Sequence, residues 1–296
     1  MRYRPFGASG KAVSAVSLLL REAPNMTTPH AWRTLAFSAM ECGVNCFEIT
    51  AGSDIMSLGV GEALRAVERR LISIGWRLRG DPRKVLTAEA ISLSVRGGLA
   101  KTGAGYFDLL MMDEAAFETL APDAHGYLAD LRAAGLALHI GVVGDGPCID
   151  TCIDSGAFDV LATPFNLISD WKARRRIKDA SARDMTMIAY DPFPPALCRP
   201  GGGGVVPKAG LFRRAEPLAG AGTYAFLHQT QGWSAEELCL AYALTEPAFA
   251  TVQVEQFRAE AIERLAAISD KDLPTGVAAQ IEMARFSADT GEQRRA

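Results

Sequence analysis

The chain reads as an α/β protein folded as a (β/α)8 TIM barrel. Three observations predict this. Eight strand-like runs alternate with helical segments along 296 residues. Several of those runs are almost continuously apolar, the habit of parallel strands covered on both faces. A closed barrel of about 250 residues fits the length as one domain. A doubly wound sheet is the runner-up, but no GxGxxG follows the first run.

The strand-like runs, in order, are VSAVSLLL (13–20), VNCFEI (44–49), RLISIGW (70–76), YFDLLMM (106–112), LHIGVV (138–143), FDVLAT (158–163), MTMIAY (185–190) and FATVQV (249–254). Between them lie helical patterns. In HAWRTLAFSAMEC the residues Trp32, Leu35, Ala36, Ala39 and Met40 fall on one face, and Gly43 follows as a stop. Thr87 starts a second helix, which Gly97 and Gly98 weaken. PDAHGYLADLRAAG, WKARRRIKDASARD, SAEELCLAYALTE and RAEAIERLAAI complete the series, and Ser234 with Glu237 forms a capping box. One domain is expected over 1–286, with a long irregular stretch at 191–233 and a polar, frayed tail at 287–296.

Composition narrows the classes. Lys+Arg is 31 and Asp+Glu is 34, so the net charge is −3, which argues against a general nucleic-acid binder. Hydrophobic residues make up 49% and charged residues 22%, the balance of a chain that buries a core. No apolar run reaches the 18 or so residues of a bilayer span, and the N-terminal stretch reads as strand rather than signal peptide. Cys42/Cys46 and Cys148/Cys152 are spaced four apart, not three, so no zinc site is expected. Reduced thiols in a cytoplasm are expected.

Seven segments, in the right order, carry a resemblance to the aldo-keto reductase family. RYRPFGASGKAVSAVSL resembles its N-terminal β-hairpin and first barrel strand. CGVNCFEITAGS, SLGVGEAL, YFDLLMMD, LHIGVVGD, FDVLATPFNLI and MIAYDPF resemble later segments of that family. The resemblance implies a nicotinamide nucleotide across the C-terminal face and a catalytic Asp, Tyr, Lys and His. In that chemistry a lysine cation, held by the Asp, tunes a phenol to protonate the developing alkoxide.

Here the tetrad is degenerate. The Asp position is Glu48, the Tyr position Ser53, the Lys position Gly75 or, with a two-residue slip, Arg77, and the His position Asp113. A serine without a base or a lysine cannot replace the tuned phenol, so no catalytic residue is assigned. Glu48 is read as a relic carboxylate, and Ser53 and Asp113 as loop replacements. The matched cofactor positions are Val143, Gly144, Asn166, Tyr190, Asp191, Phe193, Glu255, Arg258 and Glu263. Tyr190 serves either as a nicotinamide platform or as packing. Ala162 stands where the family has a Gln for the carboxamide. Glu255 would accept from a ribose 2′-hydroxyl and repel a 2′-phosphate, which favours NAD(H) over NADP(H).

A lost tetrad with part of the cofactor site kept is similar to oxidoreductase-like cell-division regulators of alphaproteobacteria. That likeness implies control of the FtsZ ring and of a sensor histidine kinase of the cell cycle. Two alternatives stay open. One is an active reductase with a rearranged site. The other is a nucleotide-free scaffold in which Leu19, Ala162 and Val143 close the groove. The basic run Lys172–Arg176 is read as a solvated helix face, and Gly201–Gly204 as part of a mobile lid rather than a phosphate cradle.

Overall fold

A computed structural model describes residues 1–198 and 224–293. The Gly201–Gly204 loop lies outside the described residues. Two strands open the chain, β1 (Tyr3–Phe6) and β2 (Lys11–Ser14), paired antiparallel with Tyr3 opposite Ser14. Eight parallel strands follow: β3 (Val16–Leu20), β4 (Cys46–Thr50), β5 (Ser73–Leu78), β6 (Phe107–Asp113), β7 (Ala137–Val143), β8 (Val160–Pro164), β9 (Thr186–Tyr190) and β10 (Phe249–Val254). They close into a barrel in sequence order, with β10 pairing to β3. The (β/α)8 barrel and its N-terminal hairpin are thus as the sequence predicts.

The alternation of side chains explains the apolar runs. Phe47, Ile49, Ile74, Trp76, Leu110, Met112, Val142 and Leu161 point out against the helices. Cys46, Leu109, Met111, Val143, Val160, Ala162, Ile188 and Ala250 fill the interior. Each strand is buried on both faces, so polar residues inside it stand out. Gly141 is an inward position where a Cβ would come within 2.4 Å of the Met111 sulfur.

The hairpin plugs the N-terminal end. Phe6 and Val13 join the interior cluster. Lys11 Nζ reaches Asp108 Oδ1 at 2.6 Å, and Arg69 donates to Asp108 Oδ2 at 2.7 Å. The Ile74 N–H donates to the same carboxylate at 2.8 Å, and Arg69 also lies 3.9 Å over the Tyr106 ring. The run 13–20 is therefore not one strand. It breaks at Ala15, whose N–H bonds to Arg2 and whose carbonyl accepts from Val252. The hairpin pairing and the barrel pairing need different directions, so the chain changes partner there.

The helices cover the outside: α1 (Pro29–Glu41), α2 (Asp54–Leu64), α3 (Ala88–Thr102), α4 (Glu114–Glu118), α5 (Pro122–Ala133), α6 (Pro147–Ser155), α7 (Trp171–Ala182), α8 (Pro195–Cys198), α9 (Ala235–Ala243), α10 (Ala259–Ile268) and α11 (Val277–Gln293). Trp32, Leu35, Ala36 and Ala39 form the buried face of α1, and Gly43 beyond its end adopts φ +84°. The capping box of Ser234 and Glu237 is present on α9. Helix α2 carries Gly59 and Gly61, which weaken its sequence signal. The structure uses Gly59 for close packing, since a Cβ there would lie 2.1 Å from the Pro29 carbonyl. As far as Gln293, the stretch expected to be a tail belongs to α11. No helix among the described residues is long and apolar enough to cross a membrane.

Candidate functional site

In a parallel barrel the loops at the C-terminal strand ends meet at one mouth, where ligands bind. Three inward polar side chains lie at that end. Glu48 on β4 is 3% exposed and pairs with Arg77 on β5, which is 12% exposed. Arg77 also donates to Gln253 Oε1 at 3.0 Å, and Gln253 Nε2 donates to Glu48 Oε2 at 2.7 Å. A closed triangle results, joining β4, β5 and β10. Burial lowers the Arg77 pKa, but the charge and hydrogen bond of Glu48 outweigh it and raise it overall.

The register explains why Arg77 makes the contact. Glu48 lies opposite Gly75, where a Cβ would sit 3.0 Å from the Glu48 side chain. Glycine leaves the carboxylate room beside β5. Arg77, two residues on and on the same face, reaches back to it.

Ser53 and Asp113 have other work. Ser53 is the N-cap of α2 and accepts from the Met56 N–H at 3.3 Å. Asp113 is the N-cap of α4: its Oδ1 accepts from Ala116 N–H at 2.8 Å and from Gly80 N–H at 2.9 Å. A carboxylate committed to two backbone donors is positioned to hold loops together rather than to shuttle protons.

One neighbour was not singled out from the sequence. Glu114 reaches across to the loop after β7, where Oε1 accepts from Asp145 N–H at 2.7 Å and Gly146 N–H at 2.9 Å. Cys148 Sγ donates to its Oε2 at 3.5 Å. Gly144 has φ +154°, and a Cβ there would lie 2.0 Å from the Glu114 carboxylate. The glycines at 144 and 146 thus make room for an internal side chain.

The remaining matched positions are spread around the rim. Tyr190 ends β9 and packs on the interior cluster beside Val143 and Ala162. Burial pushes its phenol pKa up, as do Asp145 and Asp191, against an opposing pull from Arg77. Asp191 adopts φ +50°, and burial with Glu255 raises its carboxyl pKa. Asn166 straps the neighbouring loops: Nδ2 donates to the Asp191 carbonyl at 3.1 Å and Oδ1 accepts from Ile168 N–H at 3.0 Å. Phe193 packs on the outer core. Glu255 pairs with Arg21 at 2.5 Å, which joins the loops after β10 and β3. Arg258, at the N-cap of α10, and Glu263 within it are exposed.

The residues fit a nicotinamide nucleotide in part. Tyr190 offers a partly buried aromatic face, and Arg258 an exposed cation. The Asp145 and Gly146 amides, next to the matched Val143 and Gly144, are taken by Glu114, and Ala162 has no polar side chain. Asp145, Asp191 and Glu114 act on Tyr190 with negative charge, which disfavours a diphosphate close to it. Among the described residues no cluster of three His, Cys, Asp or Glu could hold a metal ion.

The basic run on α7 is mostly paired. Arg176 grips Asp150 at 2.7 and 3.3 Å, Arg174 donates to the Tyr242 hydroxyl at 2.7 Å, and Arg175 meets Asp179 at 3.4 Å.

No family model matches this chain, and no curated protein matches its sequence. Its fold is nevertheless that of the aldo-keto reductases. A solved structure similar to it is the aldo-keto reductase AKR11C1 from Bacillus halodurans, in its holo form. The two share a TM-score of 0.73 and 17% identity, over 97% of this chain and 96% of the other. At that identity the likeness carries the barrel architecture and not the residues of the mouth.

Proposed function

We propose that this chain is a non-catalytic, NAD(H)-binding oxidoreductase-like regulator that acts through protein contacts. The observation that carries this reading is the employment of the four tetrad positions. Glu48 is neutralised in the triangle with Arg77 and Gln253, Ser53 and Asp113 cap helices, and the fourth position is either Gly75, which leaves space for Glu48, or Arg77, whose guanidinium is held by Glu48. A bound nicotinamide supplies hydride transfer, but a carbonyl also needs a proton donor within reach. Tyr190 is a poor donor at neutral pH, because burial and nearby carboxylates raise its pKa.

In this reading Tyr190 supports the nicotinamide, and Glu255 and Arg258 contact the ribose and phosphates at the rim. The Glu255 carboxylate opposes a 2′-phosphate and so favours NAD(H). The degenerate pattern resembles KidO, which extends the proposal to a cytoplasmic role at the FtsZ ring and with a sensor histidine kinase. Calorimetry with NADH, NAD and NADPH tests the cofactor. Binding of NADH weakened by Tyr190→Ala is the expected result, and no heat at millimolar nucleotide refutes it. A carbonyl panel followed at the NADH absorbance tests the pseudoenzyme; turnover abolished by Glu48→Gln refutes it. Pull-down of purified FtsZ with and without NADH tests the partner.

One observation favours a second reading, the nucleotide-free scaffold. Glu114 fills the amide cradle of residues 145 and 146 with a side chain of the chain itself. Glu114→Ala distinguishes the two: in the scaffold reading it creates nucleotide binding that the native chain lacks.

A further inference from the structure

The fold brings one pair of cysteines into contact that sequence spacing does not connect. Cys198 ends α8 and Cys239 lies in α9, 41 positions apart, with their sulfurs 3.7 Å from each other. The other four thiols have different surroundings. Cys46 lies in the barrel interior, Cys152 in the outer core, and Cys148 bonds to Glu114. Cys42, the C-cap of α1, is half-buried.

We propose that Cys198 and Cys239 form a peroxide-responsive dithiol, a redox site carried by α8 and α9. Their exposures divide the roles. Cys198 is partly open to solvent, whereas Cys239 is 0% exposed. An oxidant therefore meets Cys198 first, and Cys239 waits behind it as the resolving thiol. The hydrogen bond between the two sulfurs supports the same order. It lowers the Cys198 pKa and raises that of Cys239, which places the thiolate on the accessible residue.

The supporting framework is uneven in a useful way. Helix α9 is fixed by its capping box and buried from Ala235 to Ala243 except for Glu236 and Glu237. Helix α8 is a single turn, pinned by the buried Leu197, whose carbonyl lies 2.9 Å from His228 Nε2. A disulfide needs the sulfurs about 2.05 Å apart. Cys198, the last residue of a one-turn helix, can supply that approach without moving α9.

The reaction balances with hydrogen peroxide as oxidant. The Cys198 thiolate attacks a peroxide oxygen, the O–O bond breaks, and the departing hydroxide takes up a proton as water. Cys198 is left as a sulfenic acid. The Cys239 thiol then loses its proton as its sulfur attacks Cys198. The S–O bond breaks and a second water leaves. Two thiols are oxidised by two electrons and one peroxide is reduced.

The test uses the full-length chain, reduced, desalted and treated with a large molar excess of hydrogen peroxide. Alkylation and peptide mapping then locate the bonds. Free thiols should fall by two from six, with an intact mass about 2 Da lower and a single cross-link joining the Cys198 and Cys239 peptides. Cys239→Ser should leave a sulfenic acid at Cys198 that dimedone traps. Cys148→Ser should leave the cross-link unchanged. Retention of all six thiols, or a bond mapping to any other pair or between two chains, overturns the proposal. The mapping of the unmodified sequence decides this even if a variant fails to fold.

Discussion

Replacing Arg77 by Met removes the cation of the Glu48–Arg77–Gln253 triangle and keeps a long apolar stem. Glu48 then stays 3% exposed, with its charge opposed only by the Gln253 amide at 2.7 Å. Gln253 Oε1 loses its donor at the same time. Removing one partner of a buried ion pair costs about 3–5 kcal/mol, because an uncompensated charge remains in a region of low polarity. That is a large part of a total stability of about 5–15 kcal/mol. At roughly 2–4 °C per kcal/mol for a domain approaching this size, the melting temperature should fall by about 6–20 °C. A thermal melt measures the shift, and urea unfolding followed by tryptophan fluorescence measures the free-energy loss, since Trp32 and Trp76 are both buried. The double variant Glu48→Leu/Arg77→Met removes both charges but leaves the buried Gln253 amide without these partners, so it should recover part of the loss, giving a coupling above about 1.5 kcal/mol. A loss under about 1 kcal/mol for Arg77→Met, or simple additivity in the double variant, would refute the buried-charge reasoning.

Other outcomes follow from the same geometry. Ser53→Ala should cost about 1 kcal/mol as a lost helix cap, and Asp113→Ala about 2 kcal/mol because Gly80 also loses its acceptor; thermal melts measure both, with NADH binding unchanged. Asp108→Ala leaves Lys11 and Arg69 at the barrel floor without their shared, buried carboxylate, so a loss of about 3 kcal/mol is expected in urea. Tyr190 keeps its proton to higher pH in the fold than in the unfolded chain. Its contribution is therefore complete below about pH 10 and is lost as pH rises through the folded value. Tyr190→Phe should show a shallower loss of stability above pH 10 than the native chain; equal slopes would count against a buried phenol.

Much of this was legible before any coordinates. The inward position of polar residues in apolar runs, Glu48 in NCFEIT and Gln253 in FATVQV, is a signal that each needs a partner. The capping of α4 was also readable, since Asp113 precedes the helix-forming stretch EAAFE. Glu114 had no such signal. Its two shortest contacts are to the backbone amides of Asp145 and Gly146 in the loop after β7, which no side-chain type announces.

The sequence alone determined the alternation of eight strands with helices, because burial on both faces writes apolar runs into the chain, whereas the hairpin before them was implied only by the family resemblance. By resemblance it also implied that Glu48, Ser53, Gly75 or Arg77, and Asp113 stand at the family's tetrad positions. The tertiary structure decided what those residues do. Barrel closure sets β10 beside β3, and so brings Gln253 to Glu48 across 205 positions. The β4–β5 register sets Gly75 opposite Glu48 and returns Arg77 to it. Such contacts depend on which strands meet and in which register, and these are properties of the closed sheet rather than of any local stretch.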